Sequence, residues 1–176
     1  MWQAEIAGGT FTAPNEFPSK GHLLRDFCLE TTDGKKICLS DYRGRSNLVL
    51  IFMDNRSETL MLASDLAKAY PEIKEQEAEV LAVRSSDQLA QAGERQDIVP
   101  YPVLVDWDGH MHAEFGAVDT RGEASPAVYI TDRFAEVFSV YRRRDGQSLP
   151  TTTEILSWLE FINSQCPECE PPEWPV

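Results

Sequence analysis

Between Cys38 and Cys166 the chain has no cysteine at all; its four cysteines stand at positions 28, 38, 166 and 169 of 176 residues. That gap removes sulfur nucleophiles, thiolate metal ligands and disulfide staples from the whole middle of the sequence. Positive charge is also scarce, with 16 Lys and Arg against 29 Asp and Glu and a formal net charge of −13. Such a balance opposes attraction to nucleic acid or to an anionic membrane surface, and it favours solubility. No long hydrophobic run is present: the longest, Leu48 to Met53, is far too short to span a bilayer. The N-terminal residues lack a basic stretch followed by an apolar one, so no signal peptide is expected. A cytoplasmic, reducing setting is the expectation that follows, in which cysteine pairs serve metal or redox chemistry more often than structural bridging. No internal repeat, phosphate loop, catalytic triad or carboxylate pair stands out.

What is present reads as alternating strands and helices in one domain. Residues 1–21, rich in Gly, Pro and Thr, form an N-terminal arm. Phe27-Cys28-Leu29-Glu30 and Ile37-Cys38-Leu39 flank an Asp33-Gly34 turn and predict a hairpin. Asn47 to Met53 is a continuous apolar run, as expected of a central strand buried on both faces. A helix should follow, with Asn55 and Glu58 as a capping box and Ala63, Leu66, Ala67 and Tyr70 on one face, until Pro71 resets the chain. Further strands are expected at 78–83, 102–106, 127–132 and 136–141, with a helix over 86–96 and a short helical segment ending at Phe115. A last helix opens at Pro150-Thr151 and buries Ile155, Trp158, Leu159 and Ile162. Residues 22–165 make up the domain, and 166–176 form a Cys-x-x-Cys, proline-rich tail in which Pro167 and later prolines stop helical bonding.

This order, hairpin, strand, helix, strand, helix, strand, antiparallel pair, helix, is similar to an α/β thioredoxin-like fold: a central mixed sheet flanked by helices, with an added N-terminal β-hairpin. Several segments carry the likeness further. Asp26-Phe27-Cys28-Leu29 with Gly34 and Leu39-Ser40-Asp41-Tyr42-Arg43-Gly44 form one, and Leu48 to Phe52 and Glu79 to Val83 two more. Tyr101 to Asp106 and Val128 to Asp132 complete the set. Together they resemble the redoxin branch, the alkyl hydroperoxide reductase/thiol-specific antioxidant (peroxiredoxin-like) family, over about residues 22–162. The resemblance implies an antioxidant or thiol–disulfide oxidoreductase acting on a protein thiol, a disulfide or a peroxide, with a homodimer possible. It also implies a reactive cysteine in the loop after the central strand, its thiolate favoured by a helix N-terminus. This chain has Asp54-Asn55-Arg56-Ser57-Glu58-Thr59 there, and Met61 or Leu62 falls at the cysteine's place. Asp54 and Glu58 suit that helix end as caps but would raise the pKa of a neighbouring thiol. By the same resemblance Ser125-Pro126 marks a cis-proline facing the substrate groove; an ordinary trans proline at a strand start is the alternative.

Thiol chemistry, if retained, falls to Cys166 and Cys169 as catalytic residues, since two thiols three apart reach one side of a turn. The same spacing suits half a zinc site, so zinc is the alternative and no other cofactor is expected. A position beyond a helix C-terminus, among Glu168, Glu170 and Glu173, disfavours thiolates there. Cys28 and Cys38 are symmetric about the hairpin turn and can face each other, though two small half-buried hydrophobes are the favoured reading. A return of the tail over the hairpin would let all four cysteines hold one zinc. His110 and His112 read as surface residues, Arg142-Arg143-Arg144 as a solvated strand edge. Trp158, Phe161 and Trp174 could clamp the tail or form a dimer patch. A catalytically inactive binding or scaffold protein with structural or metal-binding tail cysteines is the rival to an oxidoreductase.

Overall fold

A computed structural model describes residues 16–92 and 98–165. Its order is β1 (Cys28–Thr31), β2 (Lys36–Cys38), β3 (Asn47–Phe52), α1 (Ser57–Lys68), α2 (Tyr70–Glu75), β4 (Ala78–Ser85) and α3 (Ser86–Ala92). Then come β5 (Val103–Asp106), α4 (His110–Glu114), β6 (Ala127–Thr131), β7 (Val137–Arg142) and α5 (Thr152–Ser164). The strands make one mixed sheet in the order β2-β1-β5-β4-β3-β6-β7. β3 pairs in parallel with β4 and antiparallel with β6, so its six residues are covered on every side and all are buried. This is why the run from 47 onward needs no alternation of polar residues.

Sheet parity splits the core in two. Leu48, Leu50 and Phe52 face Met111 and Phe115 around α4 together with Leu24 and Leu39. Val49, Ile51 and Met53 face the other way, onto Leu62 and Leu66 of α1, Ile73 of α2 and Ile155, Leu159 and Ile162 of α5. Phe52 stacks on Phe115 at 4.7 Å between centroids. Helix α5 starts as expected: Thr151 and Glu154 close a capping box, with Thr151 Oγ1 accepting the Glu154 N–H at 3.2 Å.

Pro71 resets the chain as expected: α1 ends at Lys68, and Pro71 lies in the first turn of the next helix, α2, where its missing N–H costs nothing. The described part of the helix expected over 86–96 reaches Ala92, and 93–97 lie outside the described residues. Arg142 is half-buried rather than solvated: its guanidinium donates to Asp145 (2.7 Å), to the Tyr129 hydroxyl (2.9 Å) and to the Pro18 carbonyl (2.9 Å). Trp158 is half-buried and donates from its ring nitrogen to the Tyr141 hydroxyl at 3.0 Å.

Candidate functional site

The end of β3 delivers the chain to the start of α1, and this junction is held by side chains from four elements. Met53 is buried, and its carbonyl accepts a hydrogen bond from the Gln88 side-chain amide. Nε2 of His112 lies 3.4 Å from the same carbonyl. His112, read above as a surface residue, is 1% exposed. The correction has a tertiary cause: α4 folds back against the end of β5, so Nδ1 of His112 meets Oδ2 of Asp106 at 2.8 Å. That oxygen also accepts the His112 backbone N–H at 2.8 Å. Burial raises the Asp106 pKa, but the His112 side-chain and backbone hydrogen bonds outweigh it, and the net direction is down. Both imidazole nitrogens face oxygen atoms, Nδ1 the Asp106 carboxylate and Nε2 the Met53 carbonyl. His110, by contrast, is exposed and lies 3.6 Å from Glu114.

Asp54 is the next residue and is buried, although α1 begins in solvent. The N-cap residue is Arg56, not the expected Asn55, and its side chain makes no capping bond; the first turn is held instead by Asp54, whose Oδ1 accepts the Arg56 N–H at 3.1 Å and the Thr59 hydroxyl at 2.5 Å. Oδ2 makes no hydrogen bond; its nearest partner is Nε of Arg56, at 3.4 Å. A carboxylate suits the positive end of a helix, and Thr59 is entirely buried, so this pair closes the first turn from inside. Glu58, on the outer side of that turn, pairs with Arg143. Helix α1 contains no cysteine. The junction can bind and orient, but it offers no thiolate.

Pro126 does sit at this junction. Phe52 pairs with Ala127, so Pro126 falls level with Met53. It is buried, its carbonyl accepts the Arg143 N–H at 3.0 Å, and every peptide bond among the described residues is trans. The cis expectation is therefore corrected: Pro126 serves as the entry to β6. Beside α1 lies a groove of about 970 Å³, lined by Met53, Leu60, Met61, Arg84 and Tyr101 among others and by no described cysteine. Met61 and Ile98 expose apolar surface at its margin, at 65% and 100%.

The described sulfur pair lies elsewhere. Cys28 and Cys38 form a disulfide with Cα atoms 4.0 Å apart, which corrects the reading as two separate small hydrophobes. Register explains it. Leu39 donates to Phe27 (3.1 Å) and Thr31 to Lys35 (2.8 Å), and hydrogen-bonded pairs recur every second residue. Cys28 opposite Cys38 therefore falls on a non-hydrogen-bonded pair, where facing side chains come closest. Bonded to each other, these sulfurs are not thiolate ligands, so the four-cysteine zinc arrangement is not formed in this state. Cys166, Cys169 and Trp174 lie outside the described residues. Among the described residues no group of three or more His, Cys, Asp or Glu is placed to hold a metal. No described helix is long and apolar enough to cross a membrane.

The AhpC/TSA family profile matches residues 21–140. Among solved structures, Mycobacterium tuberculosis AhpC superposes with a TM-score of 0.68 at 18% identity, over 85% of this chain and 95% of that one. Enterococcus faecalis AhpC gives 0.68 at 19%, over 86% and 100%. The exposed lipoprotein thioredoxin Etrx1 of Streptococcus pneumoniae gives 0.62 at 23%, over 77% and 98%. No curated protein sequence matches.

Proposed function

Because the chain belongs to the AhpC/TSA family, we propose that it is a thiol–disulfide oxidoreductase whose sulfur chemistry has left the start of α1 and is carried by Cys166 and Cys169. The supporting observation is the filled helix start. Asp54, buried and bonded to Thr59, closes the first turn of α1, and the helix carries Met61 and Leu62, with no sulfur nucleophile, where the family's cysteine would fall. Peroxide reduction by a thiolate on that helix is thereby removed. The tail pair can still act as a dithiol. One thiolate attacks a sulfur of the substrate disulfide, the second displaces the mixed disulfide, and two electrons pass to the substrate with two protons. An external dithiol returns the tail to its reduced form. Oxidised glutathione is a suitable disulfide probe, with alkylation and peptide mass analysis reporting each cysteine. Loss of Cys166 and Cys169 thiols in the wild type, and no turnover in Cys166→Ser, is the expected result. Unchanged turnover in Cys166→Ser overturns the reading.

A second reading rests on the apolar groove beside α1, with Met61 and Ile98 open to solvent. It is a non-catalytic binding protein with structural or zinc-holding tail cysteines. Absence of all thiol-dependent turnover, with zinc in protein purified without chelators, would favour it.

A further inference from the structure

We propose that the Cys28–Cys38 disulfide is itself a redox site, which accepts electrons from a dithiol by attack on Cys28. This goes beyond the tail reading and does not depend on it. Three observations carry it. The bond is accessible: Cys28 is exposed and Cys38 half-exposed, on the two strands at one edge of the sheet. Access to the attacked sulfur is a main determinant of exchange rate.

The bond is also redundant as a staple. Its two ends are only ten residues apart, in a hairpin already closed by the Thr31–Lys35 and Gly34–Thr31 hydrogen bonds. Ile37 and Leu39 anchor that hairpin in the core, Asp26 accepts the Ser40 N–H at 2.9 Å, and Glu30 and Thr31 pair with Val105 and Leu104 of β5. Strand alternation puts Ile37 and Leu29 on the core side and both cysteines on the opposite face, so the sulfurs anchor nothing in the α4 core.

The two sulfurs are inequivalent. Cys38 stands at the N-cap of the 3-10 turn Leu39–Asp41, with its own N–H held by the Asp41 carboxylate at 2.8 Å and the Asp41 N–H turned toward its sulfur. An N–H directed at sulfur favours the leaving thiolate, while the Asp41 carboxylate opposes it. Cys28, the more exposed, is the sulfur an incoming thiolate reaches first. Its attack forms a mixed disulfide at Cys28 and expels Cys38 as thiolate. The reductant's second thiol then attacks its own sulfur in that bond and frees Cys28. A dithiol becomes a disulfide, two electrons pass, and Cys28 and Cys38 end as thiols with the two protons.

The dithiol can be external or the chain's own Cys166 and Cys169, and the test separates them. Air-oxidised full-length protein and its Cys166→Ser/Cys169→Ser variant are each treated with stoichiometric dithiothreitol without denaturant, quenched in acid and alkylated. Peptide masses then report each cysteine, and circular dichroism the fold. Joint conversion of Cys28 and Cys38 to thiols in both proteins, with an unchanged spectrum, supports an external dithiol. Conversion only where the tail thiols remain supports the tail as donor. A bond that survives excess dithiothreitol and yields only in urea overturns the proposal. Brief exposure of the oxidised protein to reduced glutathione should leave the adduct on Cys28 over Cys38 by about tenfold. An even split, or adduct on Cys38, overturns the assignment of the attacked sulfur.

Discussion

The start of α1 follows β3 of the same sheet that carries the β1–β2 hairpin, yet the two regions handle polar and reactive groups in opposite ways. At the helix start everything is turned inward: Asp54, Thr59, Gln88, Asp106 and His112 are all buried, with Thr59 bonded to Asp54, His112 to Asp106, and Gln88 to the Met53 carbonyl. At the hairpin the reactive atoms face outward on an edge, and the burial is done by their neighbours Ile37 and Leu39. The first region is electrostatically closed and costly to disturb. The second is open and should tolerate a change of covalent state. A redoxin scaffold can thus keep its junction as architecture while sulfur chemistry sits on its periphery.

The largest break in that comparison should come from His112→Ala. It takes the imidazole from the buried Asp106 carboxylate, leaving the backbone N–H of residue 112 on that oxygen, and removes a neighbour of the Met53 carbonyl, so a loss of about 3 kcal/mol is expected from urea unfolding. The same pair sets an acid limit. The Asp106 pKa is lowered in the folded protein from an ordinary value of 3.8, so the unfolded chain binds the proton first. Its contribution is complete above that value and is lost as pH falls below it, through the lower folded pKa. Stability of the wild type should therefore fall in that window more steeply than that of Asp106→Asn; equal slopes would remove the pair from the account. Next in size, Cys28→Ser/Cys38→Ser should cost at most about 3 kcal/mol, the chain-entropy limit for so short a loop. A larger loss, or a changed far-ultraviolet circular dichroism spectrum, would make the hairpin bond a structural member after all.

Much of the fold was readable because its signals are local. The run from Asn47, the Asp33-Gly34 turn and the Thr151–Glu154 box each carry their instruction within a few residues. The Cys28–Cys38 facing was readable from symmetry about the turn; whether a bond forms depends on which pairs are hydrogen-bonded, and a neighbour's register decides that. Asp106 and His112 were missed because they meet only when α4 folds back across the Asp108-Gly109 turn. Their six-residue spacing around that turn was the one available signal. At the helix start, Asp54 and Asn55 are both residue types suited to a cap, yet the N-cap is Arg56, and only the tertiary burial of Thr59 draws Asp54 onto the first turn.

The finest distinction lies within the junction itself, between its inner and outer sides. Asp54→Ala takes the acceptor from the Arg56 N–H and from the buried Thr59 hydroxyl, which then has no acceptor in the dry interior. A loss of about 1–3 kcal/mol is expected, the cost of an unsatisfied buried donor. Arg143→Ala removes the partner of Glu58, but those side chains are 36% and 51% exposed and water replaces the lost contact. Its effect on unfolding should be below about 1 kcal/mol and should shrink further in high salt. If the two variants were equal, the buried cap would be no more than a surface ion pair. The junction would then be open enough to accept a ligand at Asp54, and the contrast with the hairpin would fail at its strongest point.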